Sequence, residues 1–125
     1  MKNLKLSFNI PGEREVVYAA LTNPVIIEVW SGLDATFEAK EGTEFSIWDG
    51  DIEGKNLELI PGKLIKQQWY FEPQEEESIV TITLSDKGKD TLIELLHINI
   101  PDEAFDDMKE GWNKYYFGAL KKYFK

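Results

Sequence analysis

Apolar and polar residues alternate with a period of two in six short segments of the chain, which is the pattern of half-buried β-strands. The first segment ends at Pro11-Gly12, and turn residues such as Asp49-Gly50 and Pro61-Gly62 separate later ones. Connections this short join antiparallel neighbours. The six segments cover residues 4–10, 43–48, 52–59, 65–71, 80–84 and 92–98.

The third segment changes phase along its length. Ile52 lies on one face of an ideal strand, whereas Leu57 and Leu59 lie on the other. A phase change of this kind predicts a β-bulge, which we place beside Gly54. An acidic loop, residues 73–77, is predicted after the fourth segment.

Between the first and second strands the period changes to that of a helix. Residues 13–22 place apolar side chains three to four positions apart, which predicts an amphipathic helix. Asn23 followed by Pro24 is typical of a helix start, with Asn as the N-cap and Pro in the first turn. A short second helix is therefore predicted to run to about Trp30.

The chain ends in a long amphipathic segment rich in aromatic residues. Pro101 ends the sheet, acidic residues open the segment and lysines close it, which is the charge order that the helix dipole favours. We predict one long helix whose apolar stripe faces the sheet. The predicted stripe comprises Phe105, Met108, Trp112, Tyr115, Tyr116, Ala119, Leu120 and Tyr123.

One large apolar helix stripe and one large apolar sheet face must cover each other. The predicted fold class is α+β: a curved antiparallel sheet of about six to seven strands around a long C-terminal helix, with two short helices after the first strand. No linker or repeat interrupts the pattern, and the length suffices for one hydrophobic core, so residues 1–125 are predicted to form a single domain.

Charge and composition exclude several classes of function. The net charge of −9 would repel the phosphates of nucleic acid. The chain has no cysteine, so no disulfide, Cys-ligated metal or thiol nucleophile is possible. No apolar run approaches the length of a membrane span, and the N-terminus lacks the apolar region of a signal peptide. We therefore expect a cytoplasmic protein that binds no nucleic acid and spans no membrane.

Several short motifs occur in an order that is specific when they are taken together. They are Trp48-Asp49-Gly50 followed by Gly54, Leu59-Ile60-Pro61, Gln68-Trp69-Tyr70-Phe71, Thr81-Ile82-Thr83-Leu84, Ile100-Pro101, and Gly111-Trp112-Asn113-Lys114-Tyr115-Tyr116-Phe117. They resemble the C-terminal domain of the activator of the heat-shock protein 90 ATPase and its single-domain bacterial relatives. That family lies in the START-related (SRPBCC) superfamily, so the resemblance implies a helix-grip, Bet v 1-like fold.

The resemblance also implies contact with a chaperone. The eukaryotic activators carry a separate N-terminal domain that supplies much of their grip on the chaperone. This sequence begins at Met1 directly with the first strand. We therefore expect any chaperone contact to be weak.

His97 is the single histidine of the chain, and it shares a strand face with Ile93 and Leu95, so it is predicted to point into the cleft between sheet and helix. It could act as a general base, orient a ligand, or be a core histidine bonded to a neighbour. One histidine without cysteine cannot build an ordinary transition-metal site. The serines available as a nucleophile are Ser7, Ser31, Ser46, Ser78 and Ser85. None lies in a nucleophile-elbow motif.

Large aromatic side chains on a concave sheet face can line an apolar pocket or fill it. In a pocket, Gln67 and His97 would be the few polar groups. The candidate ligand-binding residues are Trp30, Phe45, Ile47, Gln67, Trp69, Phe71, Ile93, Leu95, His97, Met108, Trp112 and Tyr116.

Three functions remain open at this point. The first is a non-enzymatic binding domain that holds a small hydrophobic molecule in the cleft. The second is a protein-interaction domain, related to the chaperone activator, that uses its acidic surface. The third is a cyclase- or hydratase-type enzyme with His97 as acid or base. We expect the first, without catalytic residues, metal or cofactor, as a monomer or homodimer.

Overall fold

A computed structural model of the chain describes residues 1–71 and 76–125. Its elements are β1 (Lys2–Ile10), α1 (Arg14–Thr22), α2 (Pro24–Ser31), β2 (Glu44–Ile47), β3 (Ile52–Ile60), β4 (Leu64–Trp69), β5 (Ser78–Lys87), β6 (Asp90–Ile100), α3 (Phe105–Glu110) and α4 (Phe117–Tyr123). A short 3-10 turn, Asp102–Ala104, precedes α3, and a π-helical turn, Gly111–Tyr116, joins α3 to α4. We call residues 105–123 the C-terminal helix. Of the acidic loop predicted at residues 73–77, positions 73–75 lie outside the described residues.

The described strands form one antiparallel sheet in the order β1-β6-β5-β4-β3-β2. Strands β2 to β6 follow one another as a meander, and β1 joins it by pairing with β6, where Leu6 lies opposite Leu95. The sheet curves around the C-terminal helix. The predicted helix-grip arrangement is therefore confirmed, with six strands in the described residues and two short helices after the first. That residues 1–125 form a single domain stays a prediction.

The β-bulge of β3 lies at Leu57, three residues beyond the position predicted for it beside Gly54. The register between β3 and β4 shifts there, which leaves Leu57 as the extra residue. The shift turns Leu59 toward the core. Gly54 is needed for a different reason, since a Cβ at this position would collide with the carbonyl oxygen of Gln68 on β4.

The hairpin between β2 and β3 has four connecting residues, not the two that Asp49-Gly50 favours. Ile47 pairs with Ile52 across its base. Trp48 and Asp49 both have a positive φ, 54° and 55°, which is uncommon for residues other than glycine. The longer turn directs the Trp48 ring toward the C-terminal helix, where it lies 5.7 Å from the ring of Tyr116.

Helix α2 begins and ends as its sequence predicts. The side chain of Asn23 accepts a hydrogen bond from the backbone N–H of Val25 at 2.9 Å, and Pro24 occupies the first turn. Gly32 ends the helix in the left-handed conformation with φ 76°, which glycine adopts without steric cost. The cap fixes the direction in which α2 approaches the C-terminal helix.

The C-terminal helix is interrupted by the π turn, which adds one residue to a turn and rotates everything after it. Tyr115 and Tyr123, which regular helical spacing places in the apolar stripe, are 53% and 44% exposed. Phe117, which that spacing leaves out, is fully buried. The predicted stripe is therefore wrong at the two tyrosines. Its members that are buried are Trp112, Tyr116 and Leu120.

Candidate functional site

Among the described residues, the cleft between the concave sheet face and the C-terminal helix is filled by the protein's own side chains. Trp112 and Tyr116 point into it from the π turn and are 2% and 3% exposed. The Trp112 ring stacks on Trp69 with centroids 4.6 Å apart, and Tyr116 meets Trp30 edge-on at 5.1 Å. The cavity left among these rings measures about 20 Å³. That is room for roughly one water molecule, whereas ligand pockets usually exceed about 300 Å³.

The structure brings the candidate residues together at this cleft, but as packing against one another. Those buried in the core are Trp30, Phe45, Ile47, Gln67, Trp69, Ile93, Leu95, His97, Trp112 and Tyr116. Phe71 and Met108 are half-buried at its edge. Binding of a ligand by any of the twelve stays a prediction.

His97 is completely buried and uses both ring nitrogens in hydrogen bonds. The indole N–H of Trp112 donates to Nδ1 at 3.0 Å. Because an indole nitrogen can only donate, Nδ1 carries no proton, and the neutral ring donates from Nε2 to Oγ of Ser78 at 2.8 Å. The Ser78 hydroxyl then donates to the carbonyl oxygen of Ile98 at 3.2 Å. Each donor in this series of hydrogen bonds has one acceptor.

This tautomer is the wrong one for base catalysis on Ser78. A histidine that activates a serine needs an unprotonated Nε2 and an Nδ1–H held by a carboxylate. Here Trp112 occupies the position of that carboxylate. Burial also lowers the pKa of His97 to about 3, so the ring is neutral in the folded protein at pH 7. Of the roles considered for His97, the geometry matches that of a bonded core histidine.

A second buried chain of polar side chains crosses the concave face. The indole N–H of Trp69 donates to Oε1 of Gln67 at 3.0 Å, and the Gln67 amide donates to Oδ1 of Asn56 at 3.1 Å. The Asn56 amide donates to the backbone oxygen of Glu38 at 3.2 Å. Gln67, predicted as a polar group of a ligand pocket, is therefore bonded within the protein. This series of hydrogen bonds anchors the loop before β2 to the sheet.

Sequence reasoning singled out neither Asn56 nor Ser78 as part of the cleft. Both occupy inward-facing positions of alternating strands whose other inward residues are apolar, such as Ile52 and Val80. A polar residue at such a position needs a buried partner, and this is the signal that could have identified them.

An open groove of about 590 Å³ runs along the C-terminal helix, where the helix faces the hairpin and the end of α2. Its apolar lining comprises Leu33, Trp48, Ile52, Met108, Tyr115 and Ala119. Its charged lining comprises Asp51, Asp107, Lys114 and Lys122. Gly111 lies where the groove meets the small inner cavity.

Carboxylates are concentrated at the β2 edge of the sheet. Residues 38–58, which we call the acidic edge, contain seven carboxylates and two lysines, so they hold more than half of the net charge of −9. All seven carboxylates are exposed. Within the described part of the chain, none of them forms a salt bridge.

The sequence profile of the Activator of Hsp90 ATPase homolog 1-like proteins (AHSA1) matches residues 12–125. The chain belongs to the AHSA1 family. This confirms the resemblance that the sequence motifs indicated, and the match covers nearly the whole chain.

Two curated AHSA1 relatives illustrate the similarity. The activator of 90 kDa heat shock protein ATPase homolog from Dictyostelium discoideum is 34% identical over 126 residues, covering 98% of this chain and 33% of that protein. The human homolog 1 is 31% identical over 112 residues, covering 88% of this chain and 33% of that protein. The chain therefore spans about a third of the length of these relatives.

Solved structures show the same fold. The crystal structure of an HSP90 activator from Plasmodium falciparum matches with a TM-score of 0.88 and 25% identity, over 98% of this chain and 95% of that chain. The solution structure of the Aha1 dimer from Colwellia psychrerythraea matches with a TM-score of 0.84 and 20% identity, over 99% and 96% of the two chains.

The described residues contain neither a membrane-spanning helix nor a cluster of metal ligands. Among their helices, none combines the length and the apolar character that crossing a bilayer requires. Across the same residues, no group of three or more histidine and carboxylate side chains is placed to hold a metal ion.

Proposed function

We propose that this chain is a non-enzymatic protein-interaction domain that contacts a 90 kDa heat-shock chaperone through its acidic edge. The filled cleft carries the proposal. A helix-grip domain whose cleft holds its own Trp112 and Tyr116 offers partners its surface and not its interior.

The acidic edge supports a charged partner. Its exposed carboxylates have no salt-bridge partners among the described residues, so they are available to a basic surface. Complementary charge mainly speeds encounter and selects the partner, and its effect falls as salt rises. Contact of this kind is expected to be weak and dependent on ionic strength.

The relatives support the chaperone as partner. The similar proteins carry names of activators of the 90 kDa heat-shock protein ATPase, and the Plasmodium falciparum activator is matched over 95% of its chain. The non-enzymatic part rests on His97, whose hydrogen bonds hold the tautomer that cannot activate Ser78. A small hydrophobic ligand in the cleft would require Trp112 to leave its place.

The test is binding to a purified 90 kDa heat-shock chaperone, measured by calorimetry at low and high salt. The variant Glu44→Gln/Glu53→Gln/Glu58→Gln neutralises the acidic edge. The matched control, Glu13→Gln/Glu94→Gln/Glu103→Gln, removes the same charge from exposed positions elsewhere. We expect the first variant to weaken binding roughly tenfold and the control to change it little, because loss of three attractive charges is worth about 1 to 2 kcal/mol.

Stimulation of the chaperone ATPase is expected to be small. Assayed as these 125 residues alone, the domain contacts the chaperone without the gain in effective concentration, commonly 10²–10⁴-fold in avidity, that a tethered second module gives. A coupled ATPase assay at about 0.15 M salt, where charges are screened beyond about 8 Å, measures this.

Absence of chaperone binding at low salt, or equal binding by the acidic-edge variant and its matched control, would overturn the proposal.

A further inference from the structure

We propose that the groove along the C-terminal helix is a self-association surface, in which a second copy of this chain places its own C-terminal helix antiparallel to the first. The occupant is identified by the distribution of charge along the groove. The groove meets the acidic edge at the hairpin, where Asp51 belongs to both surfaces, whereas the groove's other charged residues lie on the C-terminal helix.

The groove has an acidic end and a basic end. Asp107 lines it near the start of the C-terminal helix, together with Asp51 of the hairpin, and Lys122 lines it near the helix end. Fifteen residues separate Asp107 from Lys122, or about 22 Å along the helix at 1.5 Å per residue. Asp107 and Lys122 are exposed, and neither forms a salt bridge within the described residues.

A second copy fits this polarity in one orientation. In an antiparallel pair related by a two-fold axis, Asp107 of each chain faces Lys122 of the other, so the interface satisfies both pairs at once. A parallel pair would place Asp107 against Asp107 and Lys122 against Lys122, which is repulsive. The antiparallel arrangement also aligns the two helix dipoles favourably.

The residues near the axis suit close packing. The point midway between Asp107 and Lys122 lies at Lys114 and Tyr115. The axis therefore brings the two Lys114 side chains near each other, each 5.3 Å from the centroid of its own Tyr115 ring, and Tyr115 is 53% exposed although it is a large aromatic. Gly111 on one helix then lies close to Ala119 on the other, and small residues at a contact permit short distances between helix axes. Leu33, 45% exposed on the opposite wall, would be covered by the same partner.

Within the described residues, no contact requires a glycine at position 111. Its φ of −60° is helical, and a Cβ built there meets nothing within 4 Å. Glycine inside a helix is unfavourable relative to alanine. No atom of the same copy lies close enough to require glycine at position 111, whereas a partner helix that passes over this position would require it.

Charge reversal tests the pairing directly. Mass is measured by sedimentation and native mass spectrometry from about 5 to 500 μM at low salt, without chaperone. Wild type is expected to shift from the 14.4 kDa monomer to twice that mass as concentration rises. Asp107→Lys and Lys122→Asp should each weaken dimerisation roughly tenfold, because two symmetry-related pairs become repulsive, and the double variant should recover most of the loss.

Controls and a cross-link complete the experiment. Asp106→Lys and Lys121→Asp change the same charges at neighbouring positions outside the groove and should leave dimerisation unchanged. Because the chain has no cysteine, Tyr115→Cys gives a single thiol beside the axis that should oxidise to a covalent dimer, whereas Lys121→Cys should not.

A monomer at every concentration, a dimer indifferent to both reversals, or equal cross-linking by the two cysteine variants would overturn this proposal. Loss of chaperone binding on Tyr115→Ala in a protein that stays monomeric would assign the groove to the chaperone instead. Because dimerisation is measured on the chain alone, its failure is separate from a failure of chaperone contact.

Discussion

A buried histidine that stays neutral in the folded protein makes folding depend on pH. The pKa of His97 is lowered by burial to about 3, below the value of about 6.5 expected in the unfolded chain. Above pH 6.5 both states are neutral at this site, and His97 adds no pH dependence. Between pH 6.5 and about 3 the unfolded chain binds a proton that the folded protein does not, so stability falls as the pH falls.

We therefore predict that His97→Asn flattens the acid side of the stability curve. The wild type should lose stability relative to the variant by up to about 1.4 kcal/mol per pH unit below pH 6.5. Asparagine keeps an acceptor for the Trp112 N–H but does not titrate. Urea unfolding of both proteins from pH 8 to 4 gives the difference, in which the titration of the shared carboxylates cancels. Parallel curves would show that His97 is not held neutral.

The polar residues of the cleft were predictable only in part. The alternation of β6 correctly placed His97 on the inward face, because side-chain direction follows directly from a period of two. Its partners could not be read in the same way. Ser78 is 19 positions away and Trp112 is 15 positions away. Partners that far apart depend on strand register and on the rotation of a helix, which local periodicity does not contain.

At the scale of elements, the strands and caps followed from pattern and the irregular turns did not. The Asn23 cap is a local hydrogen bond, and its residue types specify it. The bulge was detectable from the phase of Leu59 but was placed three residues away from its position at Leu57. The π turn left no periodic signal, since one inserted residue in a stripe rich in aromatics still resembles a regular helix.

Two glycines near the π turn, Gly111 at its start and Gly118 just beyond its end, differ sharply in the space that a Cβ would have. At Gly111 a Cβ would meet nothing within 4 Å, whereas at Gly118 it would lie 2.6 Å from the backbone oxygen of Asn113. We predict that Gly111→Ala stabilises the monomer by about 0.5 to 1 kcal/mol, the usual gain in a helix interior. Gly118→Ala should destabilise it by about 1 to 3 kcal/mol, because backbone must shift.

Chemical denaturation at low protein concentration, where association does not contribute, compares the two glycine variants. Each serves as the other's control, since the chemical change is identical. Equal shifts of the unfolding midpoint would mean that the π turn does not persist in solution.

At the scale of the whole molecule, the three surfaces have different roles because they differ in burial and charge. The cleft is closed by aromatic packing, the acidic edge is exposed and forms no salt bridge among the described residues, and the groove carries both signs of charge. The fold could be predicted from sequence because an apolar helix stripe and an apolar sheet face determine it together. Whether the cleft is hollow could not, because that depends on how bulky rings pack in three dimensions.

The filled cleft predicts a large loss of stability when Trp112 is removed. Trp112 contributes its stacking on Trp69 and its hydrogen bond to His97, so Trp112→Ala should cost roughly 3–5 kcal/mol, the range for truncating a buried large aromatic. Tyr123→Ala on the same helix removes a 44% exposed ring and should cost much less. Urea unfolding measures both variants, and equal costs would contradict the packing role of Trp112.

The same variant shows what occupies the cleft. Removing the indole should leave an apolar cavity that free indole can enter, so indole should raise the unfolding midpoint of Trp112→Ala and leave that of the wild type unchanged, because a ligand stabilises only the folded state that binds it. Fatty acids should likewise leave the tryptophan fluorescence of the wild type unchanged, since about 20 Å³ cannot admit an alkyl chain. Saturable one-to-one quenching of the wild type would show instead that Trp112 moves aside, and would restore the cleft as a ligand site.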